Sequence, residues 1–371
     1  MSARVSRGYL KIYRIFDIAH EIFMDEAYGK LLELGPTHKY TLKKTTKDFL
    51  FSDIPLVVHL GDDKLMGVPV TTQVKIWSYG ALSLSVTVHY DGEGKQDELT
   101  HWLKTWCECE DVDVYCEDKI EVLKKILGKS LKKAVTWSQR EDYNIFVTHS
   151  KFMPLEFWTK DNFVYNFLTM ESEYSLSQEM IQPIKDCSLS YSSNDLVIVD
   201  WDNCFVYSDG DVDDICDVIE LANVQLLELR FFDDLLDAKL SRLYRQVVEK
   251  KPSIFNSTIA LLSRDASQLY IETSEVVERI ENSLKIVGDI YFARLYRLAI
   301  KRLQIPQWQS TVDHKLKNLL DISQMYMGEL HIKRSHYMEI IIIILIMIEV
   351  LHFLVPFLNK WMNMLLHYTQ V

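Results

Sequence analysis

From Ile340 to Leu358 the chain runs nineteen residues with one formal charge, Glu349. A helix rises about 1.5 Å per residue, so this run reaches most of the way across a hydrocarbon core of roughly 30 Å. Its seven Ile, four Leu, two Phe and two Val contribute roughly −5 to −9 kcal/mol on a helix-centre insertion scale, an upper bound. Glu349 opposes this by about 3 kcal/mol, with smaller costs for His352 and Pro356. Insertion is the expected outcome; a buried helix of a soluble core is the plainer alternative. Tyr337 and Trp361 flank the run with rings that favour the headgroup region. Lys333 and Arg334 precede it and Lys360 follows it, so the positive side is N-terminal. Residues 1–337 are therefore expected to face the cytoplasm from the inner (cytoplasmic) membrane. Glu349 and His352 are one turn apart on one face. They can share a proton within the helix, or Glu349 can bond across to a second copy and fix a homo-oligomer.

The rest of the chain must fold in water. Its 371 residues can hold two soluble domains besides the anchor. The net charge of −12, from 53 acidic and 41 basic residues, argues against general DNA binding. Lys124, Lys125, Lys129, Lys132 and Lys133 are expected on one basic helix, a solvated face that can alternatively touch anionic headgroups or ribosomal RNA. Six cysteines lack the spacing of a disulfide framework and read as reduced thiols. The basic N-terminus has no apolar core and is not a secretory signal.

Along the chain, strand patterns are expected at 9–16, 39–45, 56–60, 68–90 with a break at Ser78-Tyr-Gly80, and 143–148. Helices are expected at Ile18–Leu34, Asp97–Cys109 and Asp118–Val135, and short aromatic helices between 154 and 185. Residues 196–208 read as a hairpin with Asp-Trp-Asp-Asn at its turn. From Ile215 to Val247 apolar residues follow a 4-3 spacing, then again from Val277 towards Pro306, and from Val312 to Tyr337. The fold class expected is an α+β head over 1–208. A long-helix antiparallel coiled-coil stalk over 209–337, a transmembrane helix over 338–358 and a tail over 359–371 follow it.

Three motifs carry candidate chemistry. Asp209, Asp211, Asp213, Asp217 and Glu220 stand at positions 1, 3, 5, 9 and 12 of a calcium loop, although Asp214 occupies the position where the turn needs Gly. The plainer reading is an acidic first turn complementing a helix dipole. Leu196–Val199 followed by Asp200-Trp-Asp202 resembles the start of haloacid dehalogenase-type phosphatases, with Asp200 as nucleophile and Asp202 as acid/base. The Thr expected after the second Asp is absent, and a polar hairpin tip is the alternative. Cys107, Cys109, Cys116 and His101 fit no well-supported zinc spacing. No cofactor motif is found, and no catalytic residue is assigned.

Leu316-Lys-Asn-Leu-Leu-Asp321 and His336-Tyr-Met-Glu339 leading to Ile348-Glu-Val350 are similar to the C-terminal third of the required-for-meiotic-nuclear-division family. Trp77-Ser-Tyr-Gly-Ala-Leu82 and Asn194-Asp-Leu-Val-Ile198 stand in that family's order. The chain departs from it at Gly288-Asp-Ile-Tyr-Phe292 and lacks its Phe-Trp motif, as a divergent member. The resemblance implies an oligomeric protein anchored near its C-terminus in an inner membrane, mitochondrial in a eukaryote. It further implies support of translation there, with the ribosome or another membrane-associated assembly as partner. The expected function is a non-enzymatic scaffold or tether. Phosphohydrolysis at Asp200/Asp202 and a calcium-responsive module at 209–220 are the alternatives.

Overall fold

The structure is a computed structural model. It describes residues 8–39, 54–92, 95–134, 137–171, 176–249, 264, 266–275, 277–278 and 290–368. The chain forms two compact units, Met1–Leu235 with Thr273–Asp313 and Leu236–Glu272 with His314–Val371. The boundary expected at 208 falls inside the first unit.

The first unit is an α/β domain on a nine-stranded sheet. Its strands are β1 (Gly8–Asp17), β3 (Thr37–Lys39), β4 (Leu56–Leu65), β5 (Val68–Ile76), β6 (Ala81–Tyr90), β8 (Arg140–Thr148), β9 (Ser188–Leu189), β10 (Leu196–Val199) and β11 (Asn203–Tyr207). Their order is β3-β4-β5-β6-β1-β8-β11-β10-β9. Every neighbouring pair is antiparallel except β8 and β11. Two-residue alternation in β1 sends Leu10 and Ile12 to one face and Lys11 and Tyr13 to the other. Turn chemistry sets the registers. Met66 and Gly67 both have positive φ, the backbone of a tight hairpin turn between β4 and β5. At the β5–β6 turn Gly80 has φ +112°, and a Cβ there would lie 1.6 Å from the Ala19 carbonyl oxygen. Only glycine fits.

One face of the sheet is apolar. It packs against α1 (Met24–Leu31), α2 (Gln96–Cys107), α3 (Glu110–Leu127), α4 (Leu155–Thr159), α5 (Phe163–Thr169) and α6 (Gln178–Lys185). Trp158 sits among Phe146, Phe157, Phe163 and Phe205, with ring centroids 5.2–5.7 Å away. Rings at these separations meet edge to face or tilted, the arrangements their quadrupoles favour.

The opposite face is covered by α7 (Asp213–Glu249) and α8 (Ile290–Arg302), and here charge is buried with its partner. Lys75 of β5 donates to Asp217 at 2.5 Å and Glu220 at 2.7 Å. Arg230 pairs with Glu141 of β8, Tyr296 donates to Gln225, and Arg302 holds Asp200. From Ile215 to Leu229 nearly every residue of α7 is buried, polar ones included. The 4-3 stripe there belongs to a helix enclosed on most sides, not to a two-helix seam.

Two expected helices are shorter than their patterns. Ala19–Ile22 is β2, paired with β7 (Leu131–Ala134), because Ile18 and Ile22 donate their amides to the Gly80 and Ser78 carbonyls. The helix expected to reach Val135 stops at Leu127, where Gly128 takes φ +45°. Lys132 and Lys133 are thus on a strand, and the five lysines share no helix. The 39–45 strand beyond Lys39 and most of the pattern from Val277 to Val287 lie outside the described residues.

In the second unit Lys315 pairs with Asp237 at 2.7 Å, and Leu240, Leu243, Leu316, Leu319 and Ser323 are buried. A single helix, α9 (Ile305–Tyr368), carries the chain through the apolar run.

Candidate functional site

Among the described strands, β8 and β11 form the one parallel pair of the sheet. After β8 the chain turns to α4–α6 on the apolar face; after β11 it turns to α7 on the other. Where neighbouring parallel strands send their connections to opposite faces, a crevice opens beyond their carboxyl ends. A cavity of about 430 Å³ lies at that point, lined by residues including Tyr9, His89, Thr148, His149, Lys151, Ser208, Asp209, Gly210 and Asp211. Gly8 permits β1 to approach β8 there, since a Cβ at that position would stand 2.9 Å from the Val147 carbonyl oxygen.

Both pocket carboxylates accept hydrogen bonds, Asp209 from the loop after β8 and Asp211 from the start of α7. Asp209 accepts the Ser150 amide at 2.9 Å and the Ser150 hydroxyl at 2.8 and 2.6 Å, and these bonds hold it below the usual carboxylate range. Asp211 accepts the Asp213 amide at 3.0 Å, at the start of α7. Burial, with Cys216, Asp213 and Asp211 nearby, raises the Tyr9 phenol, which stays a hydrogen-bond donor. The arrangement offers a phenol, two imidazoles, an ammonium and hydroxyls around one small space.

The five residues expected to form a calcium loop are placed otherwise. Asp209 is tied to Ser150, and Asp213, Asp217 and Glu220 lie on α7, facing Lys11 and Lys75 of the sheet. A helical backbone spreads these oxygens along its face instead of wrapping them around a cation. Among the described residues no three His, Cys, Asp or Glu side chains are grouped as metal ligands. Cys107, Cys109 and Cys116 form no such group either, and burial pushes the Cys107 and Cys116 thiols up to about 12.

Asp200 and Asp202 flank the β10–β11 turn as a polar hairpin tip. Asp200 is 4% exposed and held by the Arg302 guanidinium. Burial, Asp200 and Asp142 push the Asp202 carboxyl above its ordinary value. An arginine-bound, enclosed carboxylate is poorly placed to attack a phosphate. A second acidic pair escaped the sequence reading. Asp17 closes β1 and Glu228 sits in α7, 4% and 1% exposed. Burial pushes the Asp17 carboxyl up to about 7, against the Ala19 amide, and burial beside Asp17 raises Glu228 well above its ordinary value.

Glu349 and His352 lie on the exposed apolar part of α9, and Tyr337 and Arg334 are exposed on the same helix before it. Lys333 is half-buried, and Trp361 is within α9. The pocket residues His89, His149 and Lys151 were not singled out from sequence. Their only signal was position, at or just past the ends of strands β6 and β8.

A family model described as "Uncharacterized protein MJ0711, N-terminal domain" matches residues 7–214, the stretch that supplies the eleven strands found among the described residues and the walls of the pocket. The chain is similar to "Uncharacterized protein MJ0711" of Methanocaldococcus jannaschii, 27% identical over 212 residues. That match covers 57% of this chain and 65% of the relative. No solved structure matches the chain.

Proposed function

This chain belongs to the MJ0711 N-terminal domain family, and from that premise we propose that it is a membrane-anchored protein holding its α/β domain at a bilayer, a tether or scaffold rather than an enzyme. The observation that carries the reading is the state of the apolar run. Helix α9 is 64 residues long, about 96 Å at the helical rise. Residues His331–Lys360 within it are long and apolar enough to cross a membrane, and none of that window is buried. Even Ile344 is 49% exposed. Water is a poor solvent for such a surface, and a bilayer is the environment that matches its length and composition.

Under this reading Lys333 and Arg334 mark the cytoplasmic side, and Tyr337 and Trp361 sit near the two interfaces. Glu349, with His352 one turn on, bonds to a second copy within the membrane and fixes a homo-oligomer. The 4-3 spacing from Leu236 to Leu243 and after His314, within the second unit, supplies an antiparallel coiled-coil stalk. The resemblance to the required-for-meiotic-nuclear-division family, sharpest over 315–350, supports the same arrangement: an inner-membrane scaffold with a ribosome or other membrane-associated assembly as partner.

The test compares the full chain with one ending at Ser335. After alkaline carbonate extraction the full chain is expected in the membrane pellet and the shorter chain in the supernatant. In mild detergent the full chain is expected as a discrete oligomer that Glu349→Leu dissociates without releasing it from the membrane. Two identical soluble particles would overturn the anchor, and an unchanged oligomer in Glu349→Leu would overturn the intramembrane bond.

A further inference from the structure

We infer that Asp17, at the end of β1, and Glu228, on α7, together form an internal site for a hard divalent cation of the calcium type. This goes beyond the anchor, since it concerns what the α/β domain itself binds.

Charge makes the first argument. Three buried acids against this face of the sheet are met by a base: Glu220 by Lys75, Glu141 by Arg230 and Asp200 by Arg302. Asp17 and Glu228 are 4% and 1% exposed, and among the described residues no base meets either. Both oxygens of Asp17 and one of Glu228 also lack a hydrogen-bond partner. The Ala19 amide lies near Asp17, a lone neutral donor against a full charge. The charge of Asp17 in turn bears directly on Glu228. Two ionised carboxylates enclosed side by side repel each other and have lost their water, so something positive has to complete them. A divalent cation balances both at once; without it, protons have to serve instead.

The second argument is the donor set and its frame. An all-oxygen carboxylate pair, with no cysteine or histidine in it, suits a hard cation better than zinc or copper. Two acids supply fewer than the roughly six to eight oxygens that calcium takes, and hydroxyl, main-chain and water oxygens make up the rest. The Ser78 hydroxyl, on the neighbouring turn, is 9% exposed and has no hydrogen-bond partner. That turn is pinned beside Asp17. Ile18 donates its amide to the Gly80 carbonyl at 3.1 Å, and Ile22 donates to the Ser78 carbonyl at 2.7 Å. Gly80 leaves room there: a Cβ at that position would stand 3.2 Å from Asp17 Oδ1, crowding the carboxylate. Asp17 is carried by the sheet and Glu228 by α7, so an ion held by both joins the two layers.

The experiment measures calcium binding to the full chain in mild detergent at pH 8, after metal has been stripped with chelator. That pH keeps protons from competing for the same oxygens. Equilibrium dialysis against calcium chloride is expected to show saturable binding of one ion per chain. The thermal unfolding midpoint should rise by about 5 °C at a hundredfold excess over the dissociation constant. Asp17→Asn and Glu228→Gln keep the shape of each side chain and remove its charge. Each should weaken binding at least about tenfold, because affinity follows ligand charge, and at the same calcium concentration cut the rise by about half or more. In chelator each variant should be at least as stable as the unaltered chain, having one buried charge fewer, so a lost response is not a lost fold. Asp118→Asn, at an exposed position on α3, should change neither reading. Absence of saturable calcium binding overturns the site and leaves the pair to protons. Binding retained in full by either charge-removing variant overturns it too, by placing the ion elsewhere, as on the acidic stretch 209–220.

Discussion

Helices α7 and α9 carry similar apolar repeats yet solve opposite problems. α7 takes charged and polar residues out of water: Asp214, Glu220, Asn223, Gln225 and Glu228 are all at most 4% exposed. It does so by supplying partners for several of them, such as Lys75 for Glu220 and Tyr296 for Gln225. Over its apolar run, Ile340–Leu358, α9 leaves seven isoleucines exposed, covered by none of the described residues. Burial follows what can be matched, not hydrophobicity alone. A buried carboxylate is tolerated when a cation meets it, and an apolar helix stays exposed when nothing apolar in its own chain covers it.

The same substitution in the two helices is the sharpest way to break the comparison. Ile219→Asn, at a fully buried site in α7, combines lost apolar burial with a buried amide. It should cost about 5 kcal/mol in urea unfolding of the full chain in detergent. Lys75→Met should cost about 4 kcal/mol, because Asp217 and Glu220 lose the ammonium that meets them. A near-neutral result for Lys75→Met would show that these carboxylates are already protonated, and the matching argument would fail there.

Asp17 tests the exception, a carboxyl buried beside another acid. Its folded value is raised to about 7 by burial, so the folded state keeps a proton that the unfolded chain releases near pH 4. Its contribution is fully present below about pH 4 and is lost as pH rises towards 7. The unaltered chain should therefore lose about 2–3 kcal/mol between pH 5 and pH 8 through this group. Asp17→Asn should flatten that loss, and identical pH profiles for both proteins would sink the assignment. The smallest effect is expected from Ile344→Asn in α9, below about 0.5 kcal/mol in the same unfolding assay. A cost like that of Ile219→Asn would mean the run is core after all.

Much of the sheet was legible because two-residue alternation is a local signal. Residues 9–16, 68–90, 143–148 and the 196–208 hairpin read as strands and are strands. Ala19–Ile22 was misread as helix because its pairing partner, Leu131–Ala134, lies more than a hundred residues away. The stripe beginning at Ile215 was legible as helix but not as a buried one, since the spacing of apolar residues says nothing about Lys75 waiting on the sheet. The pocket was not legible. His89 and His149 are ordinary residues in sequence, Asp209 read there only as part of an acidic loop, and it takes the pairing of β6 with β1, β1 with β8 and β8 with β11 to bring them together. The acidic motif at 209–220 misled for the same reason: regular spacing along a helix spreads ligands that regular spacing around a loop would gather.

The central strand carries a consequence for how the chain is made. One edge of β1 pairs with β6, from residue 81 onwards, and the other with β8, which ends at Thr148. During synthesis the first edge is satisfied some sixty residues before the second can be. Through that interval Gly8–Asp17 presents an open row of amides and carbonyls to any neighbouring nascent chain. The strand at the heart of the finished sheet is, on the ribosome, its most exposed template for mispairing.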